Sequence, residues 1–490
     1  MDNINVIYGA KWNNNSIINI INCDEDKNNI FTLIENDKYD QIKNMADDLN
    51  IIKCDLTKIL RSHDCLNENA DAIYDPQLKI ILTKTTIHNL IKSLDDNSNN
   101  IKIGIYSAGM SEIDIVTMGF IYLKLLNYNV FPKIDLGVNN LKKTKSILNQ
   151  INDMDIIITT AGMEAVLSTV LANITHKPII AVPSNVSYGY GANGIVGLYS
   201  ILMSDVPGIA IFNIGNIYGA CTFAHKIGQY LLKRTKKRKI IKNLFEPKYS
   251  TTINFVQSQK TIKTRDKNNL IDVINGIRIN YPLINLNNKS LEQINNFIQK
   301  HKYTILRDNR NTDYSTDIPA QTFNKYSDII YCNSPPEFVA KRKEIYDSTN
   351  ILVICGGMSD LKYAREFEAY MKLNGLKCDI IESFDMNQII LYEDMLDELK
   401  NDYGICVVIA GMNGTISNLV GGFLSNMPVI AVPVANSLTE VHDERNTLMS
   451  MLNNCVGGIA VVEKNNIYSA SCLVLSILFN YYGDINHLSL

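Results

Sequence analysis

The sequence predicts an α/β protein of two tandem domains, each a three-layer αβα sandwich around a parallel sheet. Its 490 residues exceed what one hydrophobic core normally holds. The chain also repeats: "DIIITTAGMEAVLSTVLANITHKPIIAVPSN" (155–185) and "ICVVIAGMNGTISNLVGGFLSNMPVIAVPVAN" (405–436) share an apolar strand, an A-G-M turn, a helix and a second strand ending in I-A-V-P. Strands that are apolar throughout and bounded by glycine are typical of a parallel sheet covered on both faces.

The repeat extends beyond these two segments. Pro183 pairs with Pro433, and the same offset places "GIAIFNIGNIYGA" (208–220) on "GIAVVEKNNIYSA" (458–470). Upstream, "IKIGIYSAGMSEIDIV" (101–116) aligns with "ILVICGGMSDLKYA" (351–364), and "NVIYGA" near the start resembles "DIIYCN" at 328–333. We therefore predict four segments: an N-terminal leader (1–95), a first domain (96–235), a basic linker with a second leader (236–345), and a second domain (346–490).

In the first copy we predict strands at 101–106, 155–160, 178–182 and 208–213, with helices between them. This alternation favours a Rossmann-like or flavodoxin-like sheet, which binds ligands beyond the carboxyl ends of its strands. The turns "SAGMSE", "TTAGME", "VPSNVSYGYG" and "NIGNIYGA" all fall at that edge. The sequence thus predicts the functional site there.

The composition limits the kinds of partner that the protein is expected to bind. A net charge of −3 argues against a nucleic-acid-binding surface over the whole molecule. None of the ten cysteines forms a C-x-x-C pair, the start lacks the features of a signal peptide, and no apolar run is long enough to cross a bilayer. These features predict a cytoplasmic protein that binds neither membrane nor nucleic acid. The basic stretch at 231–269 is interpreted as a solvated linker, with a nuclear-localisation or anionic-surface role as the alternative.

The glycine turns indicate a phosphate-bearing ligand. Small residues at a helix start let backbone N–H groups approach an anion, and Ser111 and Ser359 stand at such starts, followed by Glu112 and Asp360. The turns with A-G-M or G-G-M match neither G-x-G-x-x-G nor a P-loop, so a nicotinamide redox cofactor is not expected. The loop "SYGYGANG" combines three glycines with two tyrosines, which suits stacking against a flat ring.

The string "AGMEAVLSTVLANITHKPIIAVPSNVSYGYGANG", with "IAIFNIGNIYGA" after it, resembles the LarB family, whose core domain is similar to PurE, the aminoimidazole ribonucleotide (AIR) carboxylase/mutase. The resemblance covers roughly 95–230 and 346–480, about half the chain. It implies a PurE-type fold and a homo-oligomer. It also implies carboxylation of nicotinic acid adenine dinucleotide by CO2, with Mg²⁺, giving AMP and pyridinium-3,5-biscarboxylate mononucleotide, the first intermediate of the nickel-pincer cofactor.

This chemistry needs a nucleophile, because a pyridinium carbon is electron-poor and does not attack CO2. A thiolate that adds to the ring makes C5 an enamine-like carbon, which attacks CO2, loses its proton and expels the thiolate. The resemblance assigns the nucleophile to Cys455, in "LNNC", and acid/base or metal roles to Glu366 and Glu164. It assigns the following residues to the substrate: Ser111, Gly162, Met163, Tyr188, Gly189, Gly191, Asn216, Gly219, Ser359 and Asp360.

The two copies divide these motif residues between them. Copy one has Asp205 where copy two has Cys455, whereas copy two has Asn413 in place of Glu164 and "ANSLTEVHDERN" in place of the glycine loop. Three hypotheses follow. One active site is composite, with the loop from copy one and the cysteine from copy two; both sites have decayed and the protein is a nucleotide-binding scaffold; or the chain performs PurE-type carboxylation or mutase chemistry, which needs no cysteine.

Overall fold

The computed structural model describes most of the chain outside the segment between the two copies. The described residues are 4–22, 28–62, 69–96, 98–137, 147–175, 177–187, 193–204, 206–241, 283–285, 304–307, 329–332, 346–373, 376–384, 399, 402–411, 414–435, 444–453 and 456–479. Contacts divide the chain into two compact units. Unit 1 is Met1–Leu171, Ile179–Ile201 and Phe212–Gly228; unit 2 is Ala172–Pro178, Leu202–Ile211 and Gln229–Leu490.

Unit 1 begins with a small mixed sheet, which we call the N-terminal subdomain (residues 4–96). Its strands are β1 (Ile4–Tyr8), β2 (Asn28–Thr32), β3 (Ile51–Lys53), β4 (Ala72–Asp75) and β5 (Ile80–Thr83), in the order β1-β2-β5-β4-β3. Its helices are α1 (Asn14–Asn22), α2 (Asn36–Met45), α3 (Leu56–Ser62) and α4 (Lys84–Leu94). Only β5 runs antiparallel to its neighbours. The carboxyl ends of the other four strands therefore share one edge.

The main sheet of unit 1 is parallel, in the order β7-β6-β8-β9. These strands are β6 (Lys102–Ser107), β7 (Asn129–Lys133), β8 (Ile156–Ala161) and β9 (Ile179–Pro183). The accompanying helices are α5 (Ile113–Leu125), α6 (Leu148–Asn152), α7 (Val166–Ile174), α8 (Ile195–Leu202) and α9 (Ile217–Ile241). Every residue of β8 and β9 is buried, as expected of central strands in a parallel sheet.

Unit 2 contains a second parallel sheet. Its strands are β14 (Tyr346–Cys355), β15 (Leu376–Ile381), β16 (Ile405–Ala410), β17 (Val429–Pro433) and β18 (Ile459–Val461), in the order β15-β14-β16-β17-β18. The short β10 (Ile209–Ile211) also belongs to this unit and pairs antiparallel with β18. A further parallel trio comprises β11 (Leu283–Asn285), β12 (Thr304–Arg307) and β13 (Ile329–Cys332). The helices are α10 (Leu361–Leu373), α11 (Thr415–Phe423), α12 (Glu444–Leu452) and α13 (Ile467–Phe479).

The same local packing occurs in each unit. In unit 1 the rings of Tyr122, on α5, and Tyr218, on α9, lie 5.7 Å apart, edge to face. In unit 2 the rings of Tyr370, on α10, and Tyr468, on α13, lie 5.4 Å apart. In both cases an aromatic pair joins the first helix of the parallel sheet to the last helix.

The predicted fold class is confirmed: the chain is α/β with two parallel-rich sheets and two domains. Three predicted strands of the first copy match β6, β8 and β9 to within a residue or two at each end, whereas the strand expected at 208–213 is the shorter β10. β7 was not among the predicted strands. Within the described residues, no helix is both long and apolar enough to span a membrane.

The N-terminal subdomain packs against α5 through polar contacts. The Gln77 side-chain amide donates a hydrogen bond to Asp114 at 2.9 Å, in the first turn of α5. Lys124, 4% exposed in the last turn of α5, donates to the carbonyl oxygens of Leu94 and Asp96 at 3.3 and 3.4 Å. Contacts at both ends of α5 fix the position of the subdomain against this helix. The N-terminus of α5 lies at the carboxyl edge of the main sheet.

A buried histidine on α9 predicts how stability depends on pH. Burial, and secondarily the neighbouring Lys226, lowers the pKa of His225 to about 4, while Nδ1 of His225 lies 3.0 Å from the Tyr128 hydroxyl. Between pH 6.5 and 4 the unfolded chain binds a proton that the folded chain does not, so stability should fall as pH falls through this range, by about 2 kcal/mol. Urea denaturation at pH 7 and pH 4.5 measures the effect. His225→Gln should reduce the pH dependence, and an unchanged dependence would contradict the assignment.

Candidate functional site

The first turn of the site places a carboxylate at the carboxyl end of β6. A single 3-10 turn, Met110–Glu112, leads into α5, and Glu112 is only 3% exposed. Its Oε2 accepts a hydrogen bond from the Gly109 N–H at 2.8 Å, and its Oε1 accepts one from the Ser111 hydroxyl at 3.1 Å. Among the described residues Glu112 has no ion pair. A buried carboxylate without a counter-charge is costly, because burial removes the charge from water.

The second turn, after β8, comes close to this carboxylate. A Cβ added at Gly162 would lie well under 3.0 Å from the Val186 carbonyl oxygen and 3.3 Å from Oε1 of Glu112. Two non-glycine residues of the turn, Met163 and Ala165, have φ angles of 48° and 50°. Left-handed backbone at non-glycine residues costs about 1 kcal/mol or more each, and it clusters at ligand-binding turns. The A-G-M-E turn is therefore both crowded and strained.

The third turn follows β9 and is tied down by serines. The Ser184 side chain accepts a hydrogen bond from the Val186 N–H at 2.9 Å, and the Ser187 side chain accepts one from the Gly194 N–H at 2.9 Å. Ser184 is fully buried. These contacts fix the carbonyl group of Val186 against Gly162.

The fourth turn precedes α9. The Asn216 side chain caps this helix by accepting a hydrogen bond from the Gly219 N–H at 3.0 Å. A Cβ on Gly219 would lie 2.7 Å from the Asn216 amide nitrogen, which explains the glycine. The Gly215 N–H donates to the Pro183 carbonyl at 2.8 Å, so this turn is joined to the end of β9.

Unit 2 has a corresponding buried carboxylate. Asp360 ends the 3-10 turn Met358–Asp360 and is 2% exposed. Its Oδ2 accepts a hydrogen bond from the Gly411 N–H at 3.3 Å, and its Oδ1 accepts one from Ser359 at 3.4 Å. Burial raises the pKa of Asp360, while these hydrogen bonds oppose the shift. Asn466 caps α13 as Asn216 caps α9, accepting from the Ser469 N–H at 2.8 Å.

The structure groups only some of the predicted site residues. In unit 1 Ser111, Gly162, Met163, Asn216 and Gly219 lie in turns at the strand-end edge or at the start of α9, and Glu164 is exposed in its turn. In unit 2 Ser359 is exposed beside Asp360, while Glu366 lies buried within α10, 6% exposed. The remaining predicted positions lie outside the described residues: Cys455, Tyr188, Gly189, Gly191, and the contrasting Asp205 and Asn413.

Several described thiols are poor nucleophiles. Burial raises the pKa of Cys221 and of Cys406 far above the ordinary range. The pKa of Cys355, at the end of β14, is raised to about 12 by burial and by the charges of Asp360 and Glu382. Since the thiolate is the reactive form, these three cysteines are unsuited to attack a pyridinium ring.

The sequence indicated Glu112 only as the neighbour of Ser111. Its burial and its approach to the A-G-M-E turn are tertiary features, which no local pattern reports. One signal was available: aligning the copies places Glu112 opposite Asp360, so both have a carboxylate at this position.

The described residues do not form a protein-built metal centre. They contain no group of three or more His, Cys, Asp or Glu side chains placed to hold a metal ion. Both oxygens of Glu112 already accept hydrogen bonds from the protein. Mg²⁺ is commonly held by one or two carboxylates together with water and substrate phosphates. The described residues therefore do not supply a complete set of Mg²⁺ ligands by themselves.

Comparison with known proteins supports an assignment for the first domain. Residues 102–244 match the family described as AIRC, AIR carboxylase. A stretch of 134 residues is 34% identical to an uncharacterized protein of Methanocaldococcus jannaschii, which amounts to 27% of this chain and 51% of that protein. The match therefore covers about half the length of that relative. The family match begins at the first residue of β6 and includes all four turns. Residues 102–244 form an AIR carboxylase-family domain, similar to PurE.

Proposed function

We propose that the chain is a LarB-like carboxylase that converts nicotinic acid adenine dinucleotide and CO2 into pyridinium-3,5-biscarboxylate mononucleotide and AMP. The observation that carries the proposal is Glu112, a buried carboxylate without an ion pair among the described residues, at the strand-end edge of an AIR carboxylase-family domain. The matching geometry around Asp360 supports the further proposal that the chain arose by tandem duplication.

The reaction calls for a carboxylate at this place. When C5 of the ring attacks CO2, a C–C bond forms, and the C5 proton must leave before the ring regains aromaticity and expels its thiolate. A carboxylate shielded from water is suited to accept that proton. Water then cleaves the phosphoanhydride, which yields the mononucleotide and AMP. Glu112 lies within the glycine-rich turns suited to the phosphate groups.

A PurE-type reaction on an imidazole ribonucleotide is the second candidate. It is favoured by the family match, because residues 102–244 do not include Cys455. Such chemistry needs no thiol, since an aminoimidazole carbon is electron-rich enough to exchange CO2 directly. The two candidates differ in the ring that they accept and in their dependence on a cysteine.

The deciding experiment supplies each substrate with ¹³C-bicarbonate and Mg²⁺ and follows the products by mass spectrometry. We expect a ¹³C-labelled pyridinium biscarboxylate mononucleotide, with AMP released in equal amount. A product formed only from aminoimidazole ribonucleotide would establish the PurE-type reaction. No product from either substrate, together with binding of the dinucleotide, would instead favour a nucleotide-binding scaffold.

Cys455→Ala tests the nucleophile that the resemblance assigns. We expect at least a 100-fold loss of labelled product, because removal of a covalent nucleophile leaves only binding and electrostatic catalysis. Cys406→Ala is a matched control: this thiol is fully buried in β16 and its pKa is strongly raised, so it should not react. Full activity of Cys455→Ala would eliminate the thiolate mechanism. Magnesium and homo-oligomer formation remain proposals, which omission of the ion and light scattering test.

A further inference from the structure

We propose that the turn at the end of β1, with the sequence "YGAKW" (residues 8–12), binds the adenosine monophosphate half of the dinucleotide. This inference rests on the proposed function, because it assigns the part of the substrate that is released. The turn consists of Tyr8, the single 3-10 turn Gly9–Lys11, and Trp12. We call these residues the aromatic turn.

The aromatic turn has two large, partly exposed rings, and a lysine lies between them in the sequence. Tyr8 is 45% exposed and Trp12 is 42% exposed. Lys11 is also exposed and makes no ion pair among the described residues. A flat base stacks favourably on Tyr or Trp, and a lysine ammonium attracts phosphate. The combination of a flat base and a phosphate is the chemistry of a nucleotide.

The backbone of the turn is held in place although its side chains are exposed. Lys38, on α2, donates a hydrogen bond to the Trp12 carbonyl oxygen at 2.5 Å, and the Asn13 side chain accepts one from the Ser16 N–H at 2.8 Å, which caps α1. A fixed backbone reduces the ordering cost of binding.

The aromatic turn lies on the side of the N-terminal subdomain that faces the candidate site. Tyr8 ends β1, and Asp75 ends β4 at the same edge of the sheet. Two residues after Asp75, the Gln77 side chain donates a hydrogen bond to Asp114, which lies two residues after Glu112. The aromatic turn thus shares its edge of the subdomain with the segment that contacts the first turn of α5, directly after Glu112.

Such a subsite has a consequence for selectivity. A mononucleotide occupies only the strand-end turns, whereas a dinucleotide also engages the aromatic turn. We therefore infer that the N-terminal subdomain selects dinucleotides over mononucleotides. Lys11→Ala should raise KM for the dinucleotide about fivefold, because one exposed charge contact is worth about 1 kcal/mol.

The test uses the intrinsic fluorescence of the whole chain, since Trp12 is its only tryptophan. We expect AMP to change Trp12 fluorescence saturably, and Lys11→Ala to weaken this binding about fivefold. Adenosine, which lacks the phosphate, should bind the same in both proteins. Lys58→Ala, which removes an exposed lysine from α3 of the same subdomain, should bind AMP like the unaltered chain.

The outcomes separate this inference from the proposed function. No saturable response to AMP, or equal AMP affinity with and without Lys11, would overturn the inference even if the dinucleotide is carboxylated. A saturable, Lys11-dependent response without any carboxylated product would support the inference and contradict the proposed function. Urea denaturation of Lys11→Ala, with a midpoint equal to that of the unaltered chain, verifies that the fold is intact.

Discussion

Replacing Glu112 with glutamine should lower the rate of carboxylation by about 100-fold or more, because general acid–base catalysis contributes roughly 10²- to 10⁴-fold. Glutamine has nearly the same size, and its amide oxygen can still accept the hydrogen bond from the Gly109 N–H that Glu112 accepts at 2.8 Å. It cannot take up a proton from the ring. The loss should therefore appear in kcat, measured with saturating substrate and ¹³C-bicarbonate.

The same substitution should leave stability unchanged or raise it. Glu112 is 3% exposed and lacks an ion pair among the described residues, so the fold bears the cost of a desolvated charge. A matched control is Glu35→Gln, because Glu35 is a surface carboxylate of the same unit that pairs with Lys79 at 2.7 Å. Glu35→Gln should retain full activity. If Glu112→Gln were as active as this control, Glu112 would have no role in proton transfer.

Glu112→Asp tests whether the length of the side chain matters as well as its charge. The equivalent position in unit 2 is Asp360, which is buried to the same extent and accepts hydrogen bonds from the Gly411 N–H and from Ser359. The shorter side chain keeps the charge and withdraws it by about one bond. An intermediate rate for Glu112→Asp, between those of the unaltered chain and Glu112→Gln, is the expected result.

The parallel sheets were predictable because their signals are local. β8 is apolar except for Thr159 and Thr160 and is followed by a glycine, whereas β9 is apolar and ends at a proline. Every residue of both strands is buried, so the sequence pattern and the burial agree. β7 is different: its sequence "NVFPK" includes a proline and has three exposed residues, as an edge strand allows. The strands of the N-terminal subdomain are three to five residues long, which is too short for a clear period.

The location of the candidate site, at the carboxyl ends of the strands, could be predicted from the sequence. The contacts within the site were harder to predict. Parallel strands bring their carboxyl ends together whatever the side chains are, so Gly162, Met163 and Asn216 could be assigned to one edge from the repeat alone. That Glu112 turns inward while Ser111 is exposed depends on the 3-10 turn and on the packing of α5. The aromatic turn was likewise visible only as a leader motif, since its place on the sheet edge that meets α5 is a tertiary feature.

Gly162→Ala should have the second large effect, which we expect on stability and activity together. The added Cβ would lie well under 3.0 Å from the Val186 carbonyl oxygen, inside van der Waals contact. The Val186 segment cannot yield cheaply, because the fully buried Ser184 holds its N–H at 2.9 Å. We expect a loss of about 2–4 kcal/mol in the free energy of unfolding, typical of overpacking against backbone.

Gly422→Ala is the matched control for this prediction. A Cβ on Gly422 meets no atom within 4 Å, and the residue lies in α11, so alanine should stabilise the chain by about 0.5–1 kcal/mol. Urea denaturation and the ¹³C assay on both variants give the comparison. Because Oε1 of Glu112 lies 3.3 Å from the position that the added Cβ would take, displacement of the turn must also shift the proposed base. A Gly162→Ala protein that lost stability but kept full kcat would show that the A-G-M-E turn and Glu112 do not act together.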